Sequence, residues 1–368
     1  MSRPRRHRNS EPQTSFLGAV AALGFGLLVL LVVAEVALRI LMPQWREFYS
    51  GWFMTEISVP GHSNVTVGVA GFDGYFSQNN GDFRSHMRIN GFNLRNDEPV
   101  AAADGRLWVI GDSMSFGWGV QRDEMYSSRL AVELGVPTYN VAGPGSNVCG
   151  WQSLYARMPK DVRPSAVVVG LTVENRVGIF DCKAAAMDAK PPVPERMELG
   201  SLANPIMIKR WFTSHSALYN FFAVSLKRVG LGEALLTRLG VIVDPNALMT
   251  HGRDVTRGAE MVASTATELA KLRAMIPADV PFVVAVFPAR YEIRDDNEFY
   301  SSLRTGMHAE LAQRGIASID LLADFKAAGW QPTHFAHDGH WSALGHKVAG
   351  AAISKWLVEN KFVPPRSQ

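Results

Sequence analysis

The stretch Val109-Ile-Gly-Asp-Ser-Met-Ser-Phe-Gly-Trp-Gly119 decides how the rest of the chain is read. It follows Leu107-Trp-Val-Ile110, an uninterrupted apolar run of the kind that forms a strand buried on both faces. The run stops at Gly111-Asp112, and a serine comes next. In an open sheet of parallel strands and helices, ligands bind beyond the carboxyl ends of the strands. Ser113 is expected there, at the start of the next helix, where outward-pointing N–H groups favour an anion. A Gly-Asp-Ser turn with a capping serine has the same local sequence, so the tripeptide alone does not define a site.

Outward from this point the pattern alternates. Helix is expected over about Glu124–Leu134, strand at Thr138–Val141 and helix over 150–158. Ala166–Leu171 (AVVVGL) is the clearest buried strand. Helix fits Ala259–Met275, strand Pro281–Phe287, helix Phe299–Arg314, strand Ala317–Leu321 and helix Ala343–Asn360. This alternation predicts an α/β fold, a mostly parallel central sheet with helices on both faces, over residues 106–365. Residues at about 183–256 interrupt it and read as a helical insertion, proline-rich at Lys190–Pro194 and amphipathic around Ile206–Val229 and Ala234–Leu239. Its Trp211, Phe212, Tyr219, Phe221 and Phe222 are expected to serve packing rather than to line a ligand groove. Residues 43–105 read as a lead-in segment, with a hairpin expected at Asn90-Gly91.

Phe16 to Ala34 is an uncharged, largely apolar run, and after Glu35 the apolar character continues to Met42, broken by Arg39. About 20 apolar residues cross the hydrocarbon of a bilayer as a helix, so 16–42 reads as a transmembrane anchor. A cleavable signal peptide would have a shorter apolar core, about 7–15 residues, and a small-residue cleavage site. Glu35 and Arg39 are spaced to pair near the far interface, and Trp45 and Tyr49 fall where aromatics mark a membrane boundary. Arg3, Arg5, Arg6 and Arg8 make residues 1–15 a basic tail, which favours a cytoplasmic N-terminus and a periplasmic or extracellular body. The formal net charge is +3, so those four arginines account for all of it. The body is near neutral, without the basic face that nucleic-acid binding needs. The two cysteines, Cys149 and Cys182, form neither a disulfide scaffold nor a zinc-finger pattern, and one bridge is possible in an oxidising compartment.

A serine nucleophile needs a base. The segment His334-Phe-Ala-His-Asp-Gly-His-Trp-Ser-Ala-Leu-Gly-His346 supplies candidates just before the last helix. His340 can act as base, with Asp338 two residues earlier fixing its tautomer and stabilising the imidazolium. His334, His337, Asp338 and His340 can also be read as zinc ligands, but no second ligand cluster and no helical His-x3-His spacing supports that. His346 is expected to pack or cap within the final helix.

Four blocks together resemble the SGNH/GDSL hydrolase superfamily. They are Gly111-Asp112-Ser113, Asn140-Val-Ala-Gly-Pro-Gly145, Val169-Gly-Leu-Thr-Val-Glu-Asn175 and Asp338-Gly-His340. The resemblance covers about residues 106–182 and 281–360 and implies a three-layer sandwich. It implies that Ser113 is the nucleophile and that His340 and Asp338 complete a triad. It also implies an oxyanion hole of the Ser113 N–H, the Gly145 N–H (Gly143 being the other choice) and the Asn175 side chain. Glu174-Asn175-Arg176 stands where the family usually carries Gly-x-Asn-Asp. Asp-x-His followed by Trp341 is similar to the branch with alginate-type O-acetyltransferases. The resemblance therefore implies a membrane-anchored serine esterase or O-acyltransferase acting on ester groups of an envelope carbohydrate, with no cofactor or metal. Its implied partners are an ester-bearing substrate, the bilayer and envelope polysaccharide machinery. The other reading is a non-catalytic carbohydrate-binding or assembly component that keeps the fold. If the Gly145 and Asn175 donors converge, Cys149 and Cys182 come near each other, and a disulfide between them is expected; two buried free thiols are the alternative.

Overall fold

The apolar runs form the sheet they predict. The computed structural model describes residues 16–78, 81–191, 205–228 and 254–363. Its first element is helix α1 (Phe16–Leu41). Two antiparallel hairpins follow, β1 (Met54–Ile57) with β2 (Val65–Gly68) and β3 (Asp73–Ser77) with β4 (Arg84–Arg88). The alternating body opens with β5 (Leu107–Gly111), α2 (Ser113–Phe116), α3 (Tyr126–Leu134) and β6 (Thr138–Asn140). It continues with α4 (Val148–Ala156), β7 (Ala166–Thr172), α5 (Val173–Arg176) and α6 (Cys182–Met187). Helices α7 (Pro205–His215) and α8 (Ala217–Arg228) lie in the interrupting region. Then come α9 (Gly258–Met275), β8 (Phe282–Phe287), α10 (Arg290–Asp295) and α11 (Glu298–Gln313). The last elements are β9 (Ala317–Asp320), α12 (Leu322–Ala328), α13 (Trp330–Thr333) and α14 (Ala343–Glu359).

The central sheet has the order β6-β5-β7-β8-β9, and every pairing in it is parallel. Successive side chains of a strand point to opposite faces, so β5 sends Trp108 and Ile110 to one core and Leu107 and Val109 to the other. The first core is closed by Trp151 and Leu154 of α4, Leu269 and Leu272 of α9, and Leu303 and Met307 of α11. The second is closed by Tyr126 and Leu130 of α3, Phe325 of α12, and Ile353 and Leu357 of α14. The result is three layers, helices on sheet on helices, with all residues of β5, β7 and β8 buried.

Two expectations are corrected. Asn90-Gly91 is a turn but joins no hairpin: Asn90 Oδ1 accepts from the N–H groups of Phe92 (2.9 Å) and Leu94 (3.1 Å), and the chain leaves the sheet there. The hairpin lies just before it, as β3–β4, where the sequence alternates only weakly. The aromatics of the interrupting region are not packed away: Trp211, Phe212, Phe221 and Phe222 are 40–51% exposed. The helix expected at Ala234–Leu239 lies outside the described residues. Helix α1 is long and apolar enough to cross a membrane, and none of its residues is buried. Trp45 is buried beneath the Arg39 and Arg46 guanidinium groups, 4.9 and 5.4 Å from its ring.

Candidate active site

Strand β5 delivers Ser113 to the carboxyl edge of the sheet. Asp112 caps α2 by accepting from the Met114 N–H at 2.9 Å, so Ser113 is the first helical residue. Two residues after Ser113, the Ser115 Oγ lies 2.7 Å from the Tyr126 hydroxyl. A Cβ at Gly111 or at its register partner Gly170 would collide with the Ser115 side chain. Glycine at both strand ends is therefore a packing requirement.

The loop after α13 delivers His340, the candidate base. His340 Nε2 lies 2.7 Å from Ser113 Oγ. On its other side, His340 Nδ1 meets Asp338 Oδ1, which also accepts from the His340 backbone N–H at 3.0 Å. A carboxylate only accepts, so the neutral imidazole carries its proton on Nδ1 and leaves Nε2 free to accept from the serine hydroxyl. Burial by itself pushes the Asp338 carboxyl up. The hydrogen bonds and charge of His340, together with Arg290, more than offset this and hold it below its usual value. Gln78, just after β3, donates to Asp338 Oδ2 at 2.8 Å, and the Trp118 ring stacks on the imidazole at 5.6 Å.

The hairpin β3–β4 is thus a wall of the site. Besides Gln78, it brings Asp82 to His337, accepting from the backbone N–H at 2.9 Å and meeting Nδ1 at 2.8 Å. Phe83 packs on Phe335. Arg95 is buried and donates to the carbonyls of His86 (3.0 Å), Phe116 (3.2 Å), Gly117 and Val120 (2.7 Å). It ties β4 to the loop that carries Trp118. Burial lowers its pKa to about 9.

On the other flank, the N–H groups of Ser113 and Gly145 make no hydrogen bond among the described residues, whereas that of Gly143 is spent on the Gly111 carbonyl at 3.0 Å. Gly145 has φ +75°, a conformation that suits glycine. Asn175 is exposed on α5. Its two neighbours both form ion pairs at the candidate site. Glu174 pairs with Arg290 (2.8 Å), against which a Cβ on Gly339 would press, and Arg176 pairs with the buried Asp112 (2.9 Å). Arg176 is thus salt-bridged to the residue that precedes Ser113. The hydroxyl of Thr172 is buried without a hydrogen-bond partner among the described residues. Cys149 and Cys182 are joined by a disulfide that links α4 to α6.

The remaining histidines are engaged elsewhere. His334 Nδ1 lies near Thr333 Oγ1 (3.0 Å) and the Trp330 carbonyl, and burial lowers its pKa to about 4. His346 is buried in α14, stacked on Tyr126. Among the described residues, no three His, Cys, Asp or Glu side chains gather into a metal-binding group. Gln78, Arg95 and Arg290 were not legible as site residues in the sequence, because their partners lie far along the chain. Trp118 was within reach, since it stands inside the run that holds Ser113.

No family model and no curated protein matches the chain. Among solved structures, it is similar to a lipase/acylhydrolase from Enterococcus faecalis, at 14% identity and TM-score 0.42, over 72% of this chain and 100% of that one. It is similar to a member of the lipolytic protein G-D-S-L family from Veillonella parvula, at 12% identity and TM-score 0.37, over 70% of this chain and 98% of that one. An aryl esterase of M. smegmatis is similar at 10% identity and TM-score 0.37, over 70% of this chain and 100% of that one.

Proposed function

We propose that the chain is a serine ester hydrolase or O-acyltransferase working through an acyl-enzyme. One observation carries this reading: Ser113, His340 and Asp338 stand in a hydrogen-bonded relay, with Ser113 Oγ 2.7 Å from His340 Nε2. Ser113 Oγ attacks the ester carbonyl carbon as His340 Nε2 takes the hydroxyl proton, and Asp338 stabilises the imidazolium. The tetrahedral oxyanion is met by the Ser113 and Gly145 N–H groups and by the Asn175 amide. Gly143 is set aside because its N–H is already used. Collapse expels the alcohol, which leaves with the proton from His340. Water or a second hydroxyl, deprotonated by the same imidazole, then takes the acyl group.

The finer reading has the body outside the cytoplasm, tethered by α1, and the acyl acceptor or donor an envelope carbohydrate. The basic tail before the apolar run and the Asp-x-His-Trp sequence support it. So does the disulfide, which is suited to an oxidising compartment. Residues 106–365 act as the catalytic domain in this reading, with 43–105 completing its site.

Labelling of the full chain with a fluorophosphonate probe tests the catalytic claim. Wild type is expected to label, and Ser113→Ala and His340→Ala to lose labelling. A folded wild type that does not react would defeat the proposal and return the chain to the binding or assembly reading.

A further inference from the structure

The end of α1 carries two charges whose partners lie far along the chain. Glu35 accepts from the Ser216 hydroxyl (2.9 Å) and from the N–H groups of Ala217 (2.9 Å) and Leu218 (2.8 Å). Arg39 pairs with Glu35 at 2.7 Å and donates to the His215 carbonyl at 2.6 Å. One carboxylate thus caps the start of α8, and one guanidinium takes a carbonyl at the end of α7. Asn220 adds a hydrogen bond to the Trp45 carbonyl at 3.3 Å. The joint of the α7–α8 hairpin is fastened to the last turns of the apolar helix.

Each helix of that hairpin keeps an apolar stripe in the open. On α7, Ile208, Trp211 and Phe212 are 37%, 41% and 40% exposed, at i, i+3, i+4 spacing. On α8, Phe221 and Phe222 are 42% and 51% exposed. Lys209 and Arg210, also exposed, stand among the α7 residues. Elsewhere in the body, large side chains are mostly sealed into the cores, so this cluster requires a reason.

We propose that the α7–α8 hairpin is a second membrane contact, resting in the headgroup boundary of the leaflet where α1 emerges. This rests on reading α1 as a membrane anchor. The bilayer is the occupant because the surface is continuous with the lipid-facing helix. Glu35 and Arg39 hold the hairpin at the depth where the apolar run ends. Aromatic and aliphatic side chains flanked by cations suit the acyl–headgroup boundary of a membrane containing anionic lipid. The hairpin restricts how the body can tilt on its single anchor, so the active site is presented at a fixed attitude to the membrane.

Spin labelling tests this in the full chain, reconstituted in nanodiscs of phosphatidylcholine and phosphatidylglycerol. Both native cysteines are paired, so single cysteines can be introduced by Leu28→Cys, Phe212→Cys, Phe221→Cys and Lys355→Cys. Nitroxide collision with oxygen is compared with collision with a water-soluble nickel chelate. Oxygen is expected to dominate at positions 28, 212 and 221, and nickel at 355, with the oxygen-to-nickel ratio at 212 and 221 severalfold above that at 355. Oxygen dominance at 28 with nickel dominance at 212 and 221 would leave the anchor standing and overturn the hairpin contact. Poor access of both reagents at 212 and 221 would mean that protein covers the stripe, which also overturns it. Nickel access at 28 would overturn the anchor, and the hairpin contact with it.

Discussion

Thr172 ends β7 and Asn175 lies three residues on, in α5; the first has its hydroxyl sealed away and the second is exposed. The exposed amide can meet a substrate oxygen, and the sealed hydroxyl cannot. Removing one oxyanion donor typically costs about 100- to 1000-fold in kcat. Asn175→Ala is therefore expected to lower kcat for ester cleavage by about that factor with little change in KM, while Thr172→Val leaves kcat within a few fold. Steady-state kinetics on a chromogenic ester checks this, and similar losses in both variants would remove Asn175 from the hole. At this scale the sequence was informative for Ser113, Asp338 and His340, because chemistry needs those residue types and a short loop keeps Asp338 beside His340. It was silent on Gln78, which reaches Asp338 across 260 positions. No local pattern encodes a contact of that separation.

Elements are joined across the site by buried polar groups rather than by the sheet alone. Arg95 satisfies four carbonyls, one from β4 and three from the segment around the end of α2. Each buried carbonyl left without a donor costs about 1–3 kcal/mol. Arg95→Met is expected to destabilise the chain by about 3 kcal/mol or more, read as a clear drop in Tm by circular dichroism. An unchanged Tm would show that the loop is held without it. The three central strands β5, β7 and β8 were legible because each is a predominantly apolar run buried on both faces. The β3–β4 hairpin was not, since half its side chains face water and its register is set by the loops it grips. Asn90-Gly91 looked like a hairpin turn because Asn-Gly suits any tight turn, and only the path of the chain decides whether strands flank it.

Across the whole molecule, two buried histidines are expected to contribute to acid sensitivity. Burial, aided by Arg95 and other cations, lowers His346 to about 3, and burial lowers His334 to about 4, against the usual 6.5. Between those values and 6.5 the unfolded chain binds more protons than the folded one, so stability rises with pH. It is fully present above 6.5 and is lost as pH falls toward the folded values. Tm is expected to fall on going from about pH 7 to about pH 4.5, and to fall less in His346→Gln. An identical pH slope in the variant would assign the acid sensitivity to other groups.

Hydrophobic periodicity by itself determined the α/β alternation, the buried parallel strands and the apolar helix at 16–42. Burial on both faces, or an apolar run long enough to cross a bilayer, leaves a continuous local signature. Local chemistry and the resemblance of the four blocks also pointed to Ser113, Asp338 and His340, which the structure brings into hydrogen-bonding reach of one another. Only the tertiary structure decided that hairpin β3–β4 closes the site, that Gly143 has spent its N–H, and that Glu35 and Arg39 clasp α7–α8. Those outcomes depend on hydrogen bonds between residues tens to hundreds of positions apart, and such pairings exist only once the sheet has brought their elements together.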